Sequence, residues 1–139
     1  MGVRDDILKA AHRVYETLGG GHEEVIYREA MCMELQDMGY TVKTEMPVTI
    51  EYTTSAGKTI TVGSVKVDIF LEKEGEKVVI ELKAVKPLLT GKKEKDALKE
   101  YAQLVKYLKS LGNIPGFLIN FPFPPVPEGT PEVIESGSG

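Results

Sequence analysis

Apolar and polar positions along the chain change period twice, and each change marks a new group of elements. Ile7, Leu8, Ala11, Val14, Tyr15 and Leu18 recur at helical spacing, which predicts a helix over residues 5–18. Asp5 and Asp6 fall in its first turn, where the helix dipole favours negative charge. Gly19-Gly20-Gly21 ends it, because three glycines favour non-helical backbone. A second helix is expected over 23–38, with Tyr27, Ala30, Met31, Leu35 and Met38 as its apolar stripe and Gly39 closing it.

After residue 40 the period drops to two. A strand over 41–52 alternates through Val42, Val48 and Ile50, and Pro47 suits an edge or a bulge. Ser55-Ala56-Gly57 turns the chain into a strand over 59–72. There Val65, Val67, Ile69 and Leu71 are expected on one face, and Lys66, Asp68 and Phe70 on the other. Lys73-Glu74-Gly75-Glu76 leads into a third strand over 77–85. Leu98, Tyr101, Val105 and Leu108 then restore the helical period over 93–111, before a short apolar strand over 116–120. The order α-α-β-β-β-α-β describes an α/β protein. Its central sheet is mixed, three antiparallel strands plus one parallel strand reached by a right-handed crossover, flanked by helices. Residues 1–121 read as a single domain. Five of the eight prolines lie between Pro122 and Pro131, so 122–139 reads as an extended, flexible tail.

Composition narrows the function classes. With 139 residues, 42% hydrophobic and 27% charged, the chain suits one compact domain and not a disordered one. No apolar run is long enough for a membrane span, and the acidic start lacks a signal-peptide core, so a soluble, cytoplasmic protein without a membrane partner is expected. The single cysteine, Cys32, excludes an internal disulfide and a CxxC pair. Neither His12 nor His22 has zinc-ligand spacing. The net charge of −4 gives no general affinity for nucleic acid. Its distribution is uneven: from Lys83 to Lys109 eight lysines face three acids, a local +5. A solvated helix explains such a run, and so does a phosphate-binding face.

Chemistry is suggested by charges in the wrong places. Val78-Val79-Ile80-Glu81-Leu82-Lys83-Ala84 is a strand of the buried kind interrupted by a carboxylate and an amine. Residues two apart share a face at about 6–7 Å. Burying such groups costs several kcal/mol unless they are paired or bind an ion. Asp68, between Val67 and Ile69, repeats the anomaly one strand earlier. If the two strands form a hairpin, Asp68 and Glu81 come within reach of one cation. Two carboxylates and water suit Mg²⁺, with Mn²⁺ as a substitute. A cross-strand salt bridge from Lys83 to either acid would use the same residues without metal.

Asp68 followed by Glu81-Leu82-Lys83 resembles the D…ExK core of the PD-(D/E)XK nuclease superfamily. Gly21-His22-Glu23-Glu24-Val25-Ile26-Tyr27 resembles the G-x-x-E-x-x-Y signature of the GxxExxY family within it, with RecB-like features. Gly63, Ala84-Val85, Gln103, Tyr107-Leu108-Lys109 and Leu118-Ile119-Asn120-Phe121 extend the likeness over residues 5–121. The resemblance implies a restriction-endonuclease-like core. It also implies Glu24, Asp68 and Glu81 as metal ligands, the Leu82 backbone carbonyl among them, and Lys83 as the catalytic lysine. Tyr27, Arg28, Gln103 and Tyr107, with Lys86, Lys92 and Lys93, would meet the substrate.

Two functions follow as expectations. The first is a Mg²⁺-dependent nuclease that hydrolyses DNA phosphodiesters with metal-activated water. Its lysines would meet backbone phosphates, so binding would be sequence-tolerant and salt-sensitive. A homodimer would favour a junction-cutting endonuclease. The alternative is a non-catalytic module that keeps the fold and binds nucleic acid or a protein partner. Calorimetric titration with Mg²⁺ or Mn²⁺ separates the two.

Overall fold

A computed structural model describes residues 2–85, 114–122 and 131–135. Helices α1 (Val3–Leu18) and α2 (Glu24–Asp37) precede strands β1 (Thr41–Thr53), β2 (Thr59–Lys73) and β3 (Glu76–Lys83). Strands β4 (Gly116–Asn120) and β5 (Glu132–Glu135) complete one sheet in the order β1-β2-β3-β4-β5. β1, β2 and β3 are antiparallel neighbours, and β4 joins β3 in parallel, with Val79 opposite Gly116 and Lys83 opposite Asn120. This is the mixed sheet expected from the periodicity. The third helix expected over 93–111 lies outside the described residues.

Local chemistry accounts for the connections. Gly19 ends α1 at φ +72°, and its N–H caps the helix by donating to the Tyr15 carbonyl at 2.8 Å. Side chains are strained there, which is why glycine serves. Glu74 and Gly75 both take positive φ, as a two-residue hairpin turn requires if the strands on either side are to keep their twist.

Each face of the sheet has its own core. On the helix side, Ile7, Ala11, Val14 and Tyr15 of α1 and Tyr27, Met31 and Leu35 of α2 cover Ile69, Leu71, Ile80, Leu82 and Ile119. Burying side chains of this size stabilises the fold by roughly 1.5–3 kcal/mol each. Val48, Val67, Phe70, Val79 and Leu118 form the second cluster. Among the described residues, no helix is long and apolar enough to cross a membrane.

Two expectations need correction. Val67 does not share a face with Ile69 and Leu71: it packs with Phe70 in the second cluster, so the alternation of β2 breaks at Asp68. The partner strand breaks opposite. Thr44 pairs with Ile69 and Met46 with Val67, while Glu45 between them takes φ +50°. The second correction concerns part of the tail, read over 122–139 from its prolines as extended and flexible. Residues 132–135 instead pair antiparallel with β4, Asn120 opposite Glu132 and Phe117 opposite Glu135, because β4 otherwise offers an unpaired edge.

Candidate active site

Where β2 loses its alternation it also leaves β3. Their ladder runs from Lys73–Glu76 to Ile69–Ile80 and stops. At the next rung, side chains take over the backbone's bonds. The Asp68 N–H donates to Glu81 Oε1 at 3.0 Å, and the Leu82 N–H donates to Asp68 Oδ2 at 2.7 Å. The strands thus fork at Asp68 and Glu81, and one oxygen of each carboxylate is fixed by the other strand. Backbone donors left open by the fork are satisfied, which offsets part of the cost of two half-buried acids.

Glu24 opens α2 and brings a third carboxyl to this point. Its pKa is raised, first by burial and then by the negative charge of Asp68. Lys83 and Arg28 pull it back down. Glu81 is pushed up to about 7, again by burial first and by Asp68 second. The Asp68 N–H and the Lys83 charge oppose that rise, and Glu24 contributes to it. Three acids and one amine therefore feel each other, although they come from one helix and two strands. Like-charged groups held together in this way favour a bound cation.

Tyr27 stands apart from the expected substrate contacts. It has no exposed surface and its ring stacks on Phe121 at 4.4 Å. Its hydroxyl donates to the Gly19 carbonyl at 2.6 Å and accepts the His22 N–H at 3.2 Å. The tyrosine of the signature thus stitches the glycine turn to α2, one turn beyond Glu24. Its place in the apolar stripe of the helix is the signal that points inward. Tyr27→Phe keeps the stack and loses both bonds; it is expected to cost about 1–2 kcal/mol, read as a lower urea midpoint at unchanged slope.

Arg28 also has a partner in β1. Its side chain is 15% exposed, and Nη1 lies 3.4 Å from Glu45 Oε1. The pair ties α2 to the irregular residue of β1, while the Arg28 charge also acts on Glu24. Leu82 is buried on the helix side. Lys86, Lys92, Lys93, Gln103 and Tyr107 lie outside the described residues. Sequence reasoning named Asn120 only within the family likeness and gave it no place in the site; it is a buried polar side chain beside Lys83 in register.

A model of the PD-(D/E)XK nuclease superfamily matches residues 2–130. The chain belongs to that superfamily. No curated protein matches it. Members of the PD-(D/E)XK nuclease superfamily are generally nucleases and typically use divalent metal ions, which implies a nucleic-acid substrate. The residues here suit such an ion. Among the described residues, no three histidine, cysteine or acidic side chains make a ready coordination shell. The fork instead offers a pair of carboxylates with Glu24 beside it, and Mg²⁺ needs only one or two carboxylates when water fills its remaining positions.

Proposed function

We propose that this chain is a Mg²⁺-dependent nuclease of the GxxExxY type, cutting DNA phosphodiester bonds in the cytoplasm. The fork carries the reading: it sets Asp68, Glu81 and Glu24 against one another beside Lys83, where a structural salt bridge would need only two of the four. Asp68 and Glu81, with Glu24, would hold the ion, and the Leu82 carbonyl would add a neutral oxygen. Bound there, the ion would neutralise charge on the phosphodiester and lower the pKa of its water. Glu81 must lose its proton to serve, which its pKa of about 7 allows near neutrality. The Lys83 ammonium would orient the attacking water or offset charge growing on the phosphate oxygens. Lysines 86, 92 and 93, with Gln103 and Tyr107, would contact the DNA.

The test is a panel of single-stranded, duplex, flapped and junction DNAs incubated with and without Mg²⁺ or Mn²⁺. Cleavage that requires the ion and weakens as salt rises is expected. A folded protein that binds DNA yet cuts none of them with either ion would be an inert binding module.

A further inference from the structure

Lys83 is the last residue of β3, and beyond it the chain must leave the sheet. Three bonds fix that exit. The Phe121 N–H donates to the Lys83 carbonyl at 3.0 Å. Asn120 Oδ1 accepts the Val85 N–H at 3.0 Å, and Asn120 Nδ2 donates to the Val85 carbonyl at 3.3 Å. Its amide therefore acts as one more rung of the ladder after the backbone pairing has ended. Asn120 is 1% exposed. A valine would fill a buried sheet position at lower desolvation cost, so an amide here needs a reason beyond packing.

The amide also needs to be told which way to point, since its two ends are nearly equal in shape. Glu132 of β5 does this: its Oε1 accepts from Asn120 Nδ2 at 2.7 Å. A carboxylate takes only donors, so Nδ2 must face Glu132 and Oδ1 must face the Val85 N–H.

We propose that Asn120 and Glu132 are positioning residues for Lys83, with β5 acting as an outer support of the active site. The inference rests on the nuclease reading above. It predicts that Glu132→Ala lowers kcat about tenfold, as losing an outer support does, while KM and Mg²⁺ affinity stay unchanged. The pH profile of kcat should shift as the ammonium moves relative to the carboxylates. Glu132→Gln, which still offers an acceptor oxygen, should restore both. A second readout needs no activity: exchange of the Val85 amide proton should quicken in Glu132→Ala, with the Val78–Leu82 amides unaffected.

The outcomes separate cleanly. Wild-type protein that cuts nothing refutes the nuclease reading and this inference with it. Wild-type protein that cuts, beside a Glu132→Ala variant with equal kcat or unchanged Val85 exchange, refutes the positioning role alone. So does a loss of rate that follows the unfolded fraction.

Discussion

Lys83→Ala is expected to abolish cleavage, lowering single-turnover rates by about 10³-fold, or roughly 4 kcal/mol of transition-state stabilisation. Lys83 is half-buried at the end of β3, and its charge lowers the pKa of both Glu24 and Glu81. An ammonium held among carboxylates is placed to act where charge develops, and alanine leaves nothing in its place. The fold should survive, because β3 keeps its ladder to β4 and the Lys83 carbonyl keeps its bond from Phe121. The comparison belongs at pH 8. Removing the amine raises both carboxyl pKa values further, and at lower pH protons would compete with the metal and confuse the result. Calorimetry should find Mg²⁺ still bound. Lys83→Arg then separates two roles, since guanidinium keeps the charge but does not exchange its proton near neutrality. Restored cleavage would assign Lys83 to electrostatics; no restoration would assign it to proton transfer or a specific water. A Lys83→Ala variant that cuts at the normal rate would remove this residue from the chemistry.

The sequence made the scaffold readable where side-chain period and turn chemistry agree. Both helices and β1 to β4 match the expected bounds to within a few residues, because the side-chain period and the turn residues point to the same elements. The fork was harder to see. Its signal is the run Ile69-Phe70-Leu71, in which neighbours on opposite faces are all buried, beside Val67, which shares Phe70's cluster and not Leu71's. Strict alternation treats Asp68 as one more outward residue and misses the rotation of the strand. Glu45 hides its role equally well, since only its φ betrays the break. β5 was obscured by neighbouring prolines, although Glu132-Val133-Ile134-Glu135 carries paired apolar residues of its own. The acids themselves were legible as misplaced charge. Their meeting with Glu24 was legible only through the signature, since long-range convergence leaves no local period.

Glu81 should make the metal-free protein less stable as pH rises. Its carboxyl is raised from 4.5 to about 7 in the folded state, chiefly by burial and then by Asp68. Between those values the native protein holds a proton that the unfolded chain has released. Stability therefore falls with increasing pH across this window, the reverse of a salt-bridged acid. The full effect is about 3–4 kcal/mol, since one pKa unit corresponds to roughly 1.4 kcal/mol. Glu24, raised for similar reasons, adds in the same direction. With EDTA present, urea midpoints should decline from pH 5 to pH 8, and Glu81→Gln should flatten most of that slope. Mg²⁺ should reverse the trend, because it binds the ionised pair and stabilises the folded state in proportion to its occupancy. Its stabilisation should grow from pH 5 to pH 8 and vanish in Glu81→Gln. If the variant keeps both the wild-type slope and the wild-type response to Mg²⁺, Glu81 neither titrates in this window nor holds the ion, and the fork serves the fold alone.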